Sequence, residues 1–469
     1  MKMSSFFIRD KKIISNSKPG KIKRKGRIYP TKSENIKRKR ENIEQLNDEE
    51  ISSEEDDVYI NKKHDFVESD EDDQLTAQEK KVKLAKQYLL DIEKEEKERL
   101  ETEELDNEVI LGRLHDEVLS QAGKLRKKVA DTINTKYKSD DYVVLKCKEH
   151  KLPITCLTVS TNNYLYTGSK DCTIVKWCLT SMKKVGYIPA RHKFKQNENL
   201  HATPVMCLAV SPDNKHLASG DDSNIIQIWN PETLAHIFSF KGHRAAVTGL
   251  AFCRFTKHLY SSSKDRTVKV WSVEENAYLE TLFGHHMAIT SVDALSKGRA
   301  VTSGGTDNTV RVWKIQEESQ LIYNHSRSID GVKRLDDHHF LSYGDDGSVC
   351  IWAVTKKKPL HVISKAHGLD LSCKEPRWIC SISCISNSEV FASGSCDGFI
   401  KLWKCNDNFR GASLVADVPI VGFVNALAFT SNGEKLVVGV GQEHRFGRWS
   451  RIKEAKNCIV IVHVKKSDF

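Results

Sequence analysis

Apolar and polar residues alternate in short runs along the last two thirds of the chain, and each run ends in a tryptophan. The clearest runs are TVKVW (267–271) and TVRVW (309–313), whose tryptophans lie 42 residues apart. Alternation with a period of two predicts a half-buried β-strand, and the preceding KDR or TDN predicts a tight turn. Recurrence at a spacing of this size indicates a repeat architecture, in which each repeat is one supersecondary unit.

Six such copies align on their tryptophans, and three other positions recur with them. The tryptophans are Trp177, Trp229, Trp271, Trp313, Trp352 and Trp403. Five copies have an aspartate six residues earlier, as Asp171, Asp265, Asp307, Asp346 and Asp397, whereas the second copy has Ser223 there and Asp222 just before it. Ten residues before each tryptophan lies a hydroxyl, as Thr167, Ser219, Ser261, Ser303, Ser342 and Ser393. A histidine precedes all of these, as His150, His201, His243, His285, His325 and, with a longer spacing, His367.

The repeated set of residues has a structural explanation. The indole N–H of a buried tryptophan needs a hydrogen-bond acceptor. A hydroxyl, a histidine and an aspartate complete a chain that leaves no buried polar group unpaired. The same three residue types also suggest a hydrolase, but a nucleophile would not recur six times in register. The sequence therefore favours a structural network in every repeat.

At these residues the sequence resembles the WD40 family of β-propellers. Gly-His occurs at 242–243 and 284–285, and the hydroxyl, Asp, His and Trp positions match the family's structural tetrad. The family's Trp-Asp dipeptide is missing, because the tryptophans are followed by Cys178, Asn230, Ser272, Lys314, Ala353 and Lys404. The resemblance implies an all-β, seven-bladed propeller.

A propeller must close on itself to remove its sheet edges, and the chain holds strands for a seventh blade at both ends of the repeats. Residues 425–430, 435–440 and 458–464 predict three strands after the last tryptophan, and 142–146 predict one before the first histidine. Together they make a four-stranded blade. We therefore expect a closed ring over residues 142–469, in which single blades have too little core to be stable alone.

Charge is segregated in the N-terminal arm. Residues 1–40 contain 15 Lys and Arg against 2 Asp and Glu, whereas residues 41–73 contain 15 acids against 2 lysines. Such blocks bury little apolar surface, so residues 1–74 are expected to be disordered. Two basic clusters form a candidate two-part nuclear import signal, made of Lys21, Lys23, Arg24, Lys25, Lys37, Arg38, Lys39 and Arg40. The alternative is a merely solvated basic tail.

Residues 75–135 predict an amphipathic helical arm. Apolar side chains recur at helical spacing, first from Val82 to Ile92 and then from Leu111 to Leu125, and Thr76 with Glu79 forms a capping box. Each helix needs a surface against which to bury its apolar stripe. The flank of the ring and a partner protein are the two candidates.

The composition indicates an intracellular protein without a metal or cofactor. The 13 cysteines are scattered, with no C-x-x-C pair, which favours a reducing compartment and no zinc site. Cys373, Cys380 and Cys384 cluster near His367, but at spacings that no common zinc motif uses. The N-terminus lacks the apolar core of a signal peptide, and no stretch of 18 apolar residues occurs. No isolated carboxylate pair, metal-spaced His/Asp cluster or phosphate-binding glycine loop occurs in the sequence, so we expect no enzyme.

Three further stretches narrow the resemblance. QEKKVKLAKQYL (78–89), DEVLSQAGKL (116–125) and GQEHRFGRWSRIKEAKN (441–457) are similar to the WD40 proteins of the U3 small nucleolar ribonucleoprotein. That resemblance implies a nuclear, nucleolar protein that binds U3 small nucleolar RNA and acts in the small-subunit processome during ribosomal RNA processing. It also implies a neighbouring kink-turn-binding subunit of the same ribonucleoprotein.

Basic residues mark candidate RNA contacts in three loops expected on one face of the ring. Residues 142–469 have a net charge of +12, from 42 basic and 30 acidic residues. The candidates are Arg191, His192, Lys193, Lys195, Lys374, Arg377, His444, Arg445, Arg448, Trp449, Arg451 and Lys453, with Trp378 and Lys456 beside them. Cations interleaved with an aromatic suit phosphate contacts and base stacking.

Two alternatives to RNA binding remain at this point. In the first alternative, Trp449 packs inside the protein and some of the arginines hold the loop to its own blade, so the loop has only a structural role. In the second alternative, the ring is a protein-only scaffold in the nucleus, such as a histone-tail reader or a substrate receptor of a ubiquitin ligase. Such a scaffold would show an acidic or aromatic rim where the basic loops lie.

Overall fold

Seven four-stranded antiparallel sheets form the blades of a closed β-propeller in the computed structural model. The structure describes residues 83, 119, 126–137, 142–191, 199–254, 256–296, 298–370 and 374–465. The first strands of neighbouring blades contact one another around the ring, so they line its centre. This arrangement confirms the all-β, seven-bladed prediction.

Six blades are each continuous in the chain. Blade 1 contains β2 (Ile154–Val159), β3 (Tyr164–Ser169), β4 (Ile174–Cys178) and β5 (Lys183–Ile188). Blade 2 contains β6 (Val205–Val210), β7 (Leu217–Asp221), β8 (Ile225–Trp229) and β9 (His236–Lys241). Blade 3 contains β10 (Val247–Phe252), β11 (His258–Ser263), β12 (Thr267–Ser272) and β13 (Ala277–Phe283). Blade 4 contains β14 (Ser291–Leu295), β15 (Arg299–Ser303), β16 (Thr309–Lys314) and β17 (Ser319–Asn324). Blade 5 contains β18 (Ile329–Arg334), β19 (His339–Gly344), β20 (Val349–Ala353) and β21 (His361–Ile363), and blade 6 contains β22 (Ser381–Cys384), β23 (Val390–Gly394), β24 (Phe399–Cys405) and β25 (Ala412–Pro419).

Blade 7 is built from both ends of the ring. Its strands are β26 (Phe423–Phe429), β27 (Lys435–Gly441) and β28 (Cys458–His463), and β1 (Tyr142–Leu145) forms its outer edge. The pairing of β1 with β28 runs from Tyr142 opposite Val462 to Leu145 opposite Ile459. The predicted closure by one N-terminal strand is therefore confirmed, and it joins the ends of the sheet ring.

Each repeat tryptophan packs toward the blade before its own. Trp271 of blade 3 lies in a core cluster with Ile226 and Phe240 of blade 2, and its ring centroid is 4.8 Å from that of Phe240. Trp177 of blade 1 packs in the same way against Val437 of blade 7. The core thus lies between blades, which explains why no blade has a closed core of its own.

The tetrad hydrogen bonds are complete in blades 3 and 6. In blade 3, His243 Nδ1 lies 2.9 Å from Asp265 Oδ2, its Nε2 lies 2.7 Å from Ser261 Oγ, and Trp271 donates its indole N–H to the same hydroxyl. Blade 6 repeats the pattern although its histidine is nine residues further from the tryptophan than in blade 1, since His367 still lies 2.7 Å from Asp397. The insertion before blade 6 leaves the network intact.

Blade 2 uses an aspartate that the alignment on tryptophan does not select. Asp221 is 2 % exposed, and its Oδ2 lies 3.0 Å from His201 Nδ1. Asp222 instead lies at the surface, 3.6 Å from the ammonium of Lys264. In the alignment on tryptophan, Ser223 occupies the aspartate position of this copy and Asp222 precedes it. In the structure, the Ser223 hydroxyl donates a hydrogen bond to Asp221 at 2.7 Å.

In blade 4, the hydroxyl that bonds the histidine and the tryptophan is not the one that the sequence predicted. Thr302 Oγ1, rather than Ser303, lies 2.8 Å from His285 Nε2 and accepts the indole N–H of Trp313 at 2.9 Å. Thr302 is paired across the sheet with Arg311, two residues before the tryptophan, as Ser261 is with Lys269. The turn after Thr302 has one extra residue, so counting back from the tryptophan selects the wrong side chain.

Blades 1 and 5 lack the histidine–aspartate hydrogen bond. His150 Nδ1 lies 2.9 Å from the hydroxyl of Thr173, and Asp171 instead accepts the backbone N–H of Leu152 at 2.6 Å. In blade 5, His325 Nε2 lies 3.2 Å from Cys350 Sγ. Asp346 caps the turn by accepting from Ser348, and Trp352 donates to Ser342 as predicted. The predicted histidine–aspartate contact is therefore wrong in these two blades, whereas His150 and Trp177 of blade 1 still share the hydroxyl of Thr167.

Residues 126–137 strap blades 6 and 7 together. Lys127 forms a bridge to Ser388 and Ile133 to Lys465, and a 3-10 helix, Ala130–Thr132, lies between them. Ala130 and Ile133 are buried in the core cluster shared by the two blades. The predicted helical arm of residues 75–135 therefore does not continue as an α-helix through 126–135.

The remaining arm predictions mostly fall outside the described residues. Lys83 and Leu119 are helical, whereas the import signal and the rest of residues 1–125 lie outside the described part of the chain. Within the described residues, no helix is long and apolar enough to cross a membrane. The twelve cysteines described form no disulfide, and no group of His, Cys, Asp and Glu in those ranges has the arrangement of a metal site.

Candidate RNA interface

Two kinds of loop lie on one face of the ring, which we call the top face. They are the loops that join consecutive blades and the loops between the second and third strands of each blade. The hydrogen bond from His367, in the β21–β22 loop, to Asp397, in the β23–β24 loop, ties the two kinds together. The β5–β6, β21–β22 and β27–β28 loops, which carry the candidate RNA residues, therefore share this face.

The β27–β28 loop, residues 442–457, is held to its blade by buried hydrogen bonds. The Asn425 amide donates to Glu443 O and accepts the backbone N–H of Arg445, both at 3.0 Å. Gln442 donates to Ala455 O at 2.7 Å, and Glu443 forms a bridge to Arg451. These contacts fold the loop back on itself, so its side chains have fixed positions.

An aromatic cluster joins this loop to the β21–β22 loop. The rings of Trp378 and Trp449 are stacked, with centroids 5.3 Å apart and planes 12° apart, and His444 lies 4.4 Å from Trp378. Trp449 is 57 % exposed, so the cluster presents an open indole surface. A Cβ on Gly447 would lie 2.0 Å from the Trp449 ring. Only glycine at position 447 therefore allows the ring to pack against the backbone of the loop.

His444 is a buried member of the cluster and does not reach the surface. It is 1 % exposed, and its Nδ1 accepts the backbone N–H of Phe446 at 3.3 Å. Burial, with the nearby charges of Arg445 and Lys170, lowers its pKa to about 3, so the ring is neutral. The prediction that His444 contacts RNA is therefore wrong, and its role is to support the two tryptophans.

Arg445 is also not the solvent-facing residue that the sequence suggested. It is half-buried, and its guanidinium lies 4.6 Å from the Phe446 ring centroid. Burial raises the pKa of Asp330, on the innermost strand of blade 5, to about 6, and the positive charge of Arg445 opposes that rise. A charge reversal at the half-buried Arg445 would therefore disturb the packing of the loop.

The exposed cations of the loop flank Trp449 in the sequence. Arg448 lies 2.8 Å from Glu443 Oε2, and Arg451 donates to Gln442 Oε1 at 2.8 Å, so both guanidiniums are oriented yet remain exposed. Lys453 and Lys456 are also exposed. These four cations and the open indole face lie within nine residues of one loop. They are the part of the candidate site that the structure leaves accessible.

The other candidate residues are placed less uniformly. Lys374 is exposed and Arg377, next to Trp378 in the sequence, is half-buried, so the β21–β22 loop also carries cations on the top face. Arg191 is half-buried and its backbone N–H bonds His201 O, whereas His192, Lys193 and Lys195 lie outside the described residues. Blade 1 contributes Lys170, whose ammonium donates to His444 O at 2.7 Å.

Sequence reasoning missed Lys170, Asp330 and Tyr343. Lys170 precedes the repeat aspartate of blade 1, where it is indistinguishable from an ordinary turn residue. Asp330 and Tyr343 lie on strands of blade 5. The alternation of apolar and polar residues in these strands does not indicate that either side chain contacts another blade. Their positions follow from the closure of the ring, which brings distant segments to its centre.

Comparison with known families and proteins shows the family to which the chain belongs. The model of the WD domain, G-beta repeat, matches residues 142–178, 193–230, 234–272, 276–314 and 364–404. The human "U3 small nucleolar RNA-interacting protein 2" is 50% identical over 396 residues, which cover 83% of this chain and 83% of the human protein. The chain belongs to the WD40 family.

Two further WD40 relatives extend the comparison. The structure described as "Crystal structure of RRP9 WD40 repeats" has a TM-score of 0.68 and 46% identity, and the match covers 71% of this chain and all of that one. The "Ribosomal RNA-processing protein 9" of Saccharomyces cerevisiae is 26% identical over 90% of this chain and 96% of its own length.

The WD40 repeat model leaves the blade 5 copy unmatched, and this blade, like the matched blade 1, lacks the histidine–aspartate hydrogen bond. In blade 5, His325 is bonded to Cys350 and to the backbone of Arg327 rather than to a carboxylate. Trp352 keeps its hydrogen bond to Ser342, so the blade still folds. The WD40 network thus tolerates the absence of the histidine–aspartate hydrogen bond when the tryptophan keeps its acceptor.

Proposed function

We propose that this protein is a non-enzymatic, RNA-binding scaffold subunit of the U3 small nucleolar ribonucleoprotein. In this proposal it acts in the small-subunit processome during pre-ribosomal RNA processing, in the nucleolus. The observation that carries the proposal is the β27–β28 loop, which presents the open indole face of Trp449 and the exposed cations Arg448, Arg451, Lys453 and Lys456. The names of the human and yeast relatives support the same assignment.

The chemistry of the loop suits folded RNA with an unstacked base. Lysine and arginine contacts to phosphates supply affinity that falls as salt concentration rises. An exposed aromatic ring takes a base that has left the helix, and every base has a π-face to offer it. The pre-ordered guanidiniums of Arg448 and Arg451 lose little freedom on binding, which favours contacts with phosphate oxygens.

The geometry disfavours a reader of methylated histone tails. Such a reader needs a cage of aromatic rings that opens around a cation. Here Trp378 and Trp449 are stacked on each other, which leaves no gap between their rings for an ammonium group. The adjacent carboxylate of Glu443 is already paired with Arg448, so the surface repels a cationic peptide.

The partners of the proposed function are U3 small nucleolar RNA, the kink-turn-binding subunit of the same ribonucleoprotein and proteins of the small-subunit processome. The basic clusters between Lys21 and Arg40 would carry the protein into the nucleus. Deleting residues 1–40 should then exclude it from the nucleus and leave the melting curve of the ring unchanged.

Crosslinking in cells tests this proposal. The full chain carrying an affinity tag is crosslinked to RNA by ultraviolet light, and the bound RNA is sequenced. Enrichment of U3 RNA, with crosslinks mapped to peptides from 442–457, is the expected result. Recovery of proteins without any enriched RNA would point to a protein-only scaffold and overturn the proposal.

A further inference from the structure

Asp330 lies beneath the aromatic cluster, although it belongs to a different blade. It is on β18, the innermost strand of blade 5, and its Oδ2 accepts the indole N–H of Trp378 from the β21–β22 loop. Trp378 in turn stacks on Trp449 of blade 7. One side chain of blade 5 is thus connected, through a single tryptophan, to the open indole face on the top of blade 7.

The charge of Arg445 also influences this carboxylate. Burial raises the pKa of Asp330 to about 6, and the guanidinium of Arg445 opposes that rise by favouring the charged form. Tyr343 on β19 packs against the neighbouring Gly331, where a Cβ would lie 2.4 Å from the tyrosine oxygen. The hydrogen bond from Trp378 is the contact that links Asp330 to the aromatic cluster.

We propose that Asp330 is a positioning residue of the RNA interface, which holds Trp378 and thereby sets Trp449 as a stacking platform for one unpaired RNA base. The inference rests on the proposed function and adds a residue that lies away from the RNA itself. Asp330 contacts no exposed cation of the loop, so its effect on binding passes through the indole N–H of Trp378.

Asp330 would act on RNA binding through the rigidity of the two stacked rings. Trp449 is more than half exposed, and an exposed ring loses rotational freedom when a base stacks on it. Stacking on Trp378 removes that freedom before RNA arrives, provided that Trp378 is itself fixed. The hydrogen bond to Asp330 is the side-chain contact that the indole nitrogen of Trp378 makes, and it defines the rotation of the ring. Preorganisation of this kind increases affinity by lowering the cost of ordering.

The experiment compares three variants of the full chain in binding to a U3 RNA fragment. Asp330→Ala removes the acceptor, Asp330→Asn keeps an amide oxygen for the indole N–H, and Trp449→Ala removes the platform. Loss of one stacked base weakens binding by about 5- to 150-fold. We expect Trp449→Ala to show that loss, Asp330→Ala to approach it and Asp330→Asn to stay near the parent. The dependence of affinity on salt should not change, because every phosphate contact is kept.

The double variant provides the decisive comparison. If Asp330 acts only through the platform, Asp330→Ala combined with Trp449→Ala should bind no worse than Trp449→Ala alone. Asp293→Ala is the matched control, since Asp293 lies on the innermost strand of blade 4 and its carboxylate contacts Lys333 and the backbone of Arg334. That variant should bind like the parent.

A spectroscopic measurement separates positioning from general loss of stability. The stacked pair Trp378 and Trp449 should give an exciton signal in circular dichroism, which disappears in Trp449→Ala and weakens in Asp330→Ala. If Asp330→Ala fails to fold, Trp378→Phe takes its place, because it keeps a ring but donates no N–H.

The outcomes separate this proposal from the proposed function. Additive losses in the double variant, or parental affinity in both Asp330→Ala and Trp378→Phe while Trp449→Ala binds poorly, would overturn the positioning role alone. Parental affinity in Trp449→Ala would remove the platform, and with it both the positioning role and the stacking part of the proposed function.

Discussion

Thr302 Oγ1 accepts the indole N–H of Trp313 at 2.9 Å and lies 2.8 Å from His285 Nε2, so one hydroxyl satisfies two buried rings of blade 4. Replacing Thr302 by Val keeps the shape and leaves both nitrogens without this partner. A buried polar group left unpaired costs about 1–3 kcal/mol. We expect Thr302→Val to lower the free energy of unfolding by this amount in denaturant titrations.

Ser303→Ala is the control for this prediction. Ser303 is also fully buried, but its hydroxyl bonds Thr290, which keeps a second bond to Ile329 O at 2.9 Å. Its removal should cost less than removal of the Thr302 hydroxyl. Equal destabilisation by the two variants, or a larger effect of Ser303→Ala, would contradict the assignment of Thr302 to the network.

Asp221 and Asp222 offer the same kind of test in blade 2. Asp221→Ala removes the partner of His201 and of two donors on Ser223, so it should cost a few kcal/mol. Asp222→Ala breaks only an exposed ion pair with Lys264, which is worth below about 1 kcal/mol. Thermal unfolding of the two variants measures the difference. A larger effect of Asp222→Ala would contradict the assignment of Asp221 to the network.

The extent to which sequence predicts this fold differs between features. Strand alternation and the tryptophan spacing determine the blades, and the orphan strand at 142–146 is predictable as part of blade 7, because an unpaired edge has to be closed. The tetrads of blades 2 and 4 are harder to assign. In blade 4 one extra turn residue shifts the count, while the hydrogen bonds follow the strand register. In blade 2 the turn has the usual length, but the network uses Asp221, two residues after the hydroxyl rather than four.

The candidate site is less predictable than the fold. Composition identifies the basic β27–β28 loop and Trp449, but it does not show that His444 is buried or that Arg445 is half-buried. Burial of a loop residue depends on the neighbouring blades, and the residues that cover His444 come from the β21–β22 loop, about 65 residues earlier in the chain. Contacts of this range leave no periodic pattern in the sequence.

The strap of residues 126–137 should contribute to the stability of the ring. Ile133 is 1 % exposed and packs with Val464 and other residues of blades 6 and 7, so Ile133→Ala leaves a cavity in the shared core. Such a change costs about 2–5 kcal/mol. Ile322→Ala, on the exposed edge of blade 4, is the matched control and should change stability little. Similar melting curves for both would mean that the strap does not stabilise the ring.

The ring should lose stability on mild acidification because two of its histidines are buried and neutral. Burial lowers the pKa of His150 to about 4 and that of His444 to about 3, from an ordinary value near 6.5. Below pH 6.5 the unfolded chain therefore binds protons that the folded chain does not, and the stability present at neutral pH is lost as pH falls. Burial raises the pKa of Asp330 to about 6, which acts in the opposite direction.

His444→Phe isolates one contribution to this pH dependence. Between pH 7 and pH 5 the parent should lose about 2 kcal/mol more free energy of unfolding than the variant, since one histidine accounts for that amount. Chemical denaturation at the two pH values measures it. The same pH dependence in both proteins would show that His444 is protonated in the folded ring.

The central claim of this account is that exposed cations of the β27–β28 loop bind RNA. Arg448, Arg451 and Lys453 are exposed, so reversing all three to Glu should leave the thermal transition of the ring near that of the parent. Arg445 and His444 are kept, because both lie partly or wholly inside the protein. Lys356, Lys357 and Lys358, in the β20–β21 turn on the opposite face, are exposed and provide a control with the same change of charge.

The direct measurement is the affinity of these two triple variants for U3 RNA as a function of salt concentration. We predict that the β27–β28 variant binds far more weakly than the parent. Its plot of log affinity against log salt should flatten by about one unit or slightly less for each phosphate that the loop no longer binds. The opposite-face variant should be affected far less. Equal weakening in the two variants, or a folded β27–β28 variant that binds U3 RNA like the parent, would contradict the account.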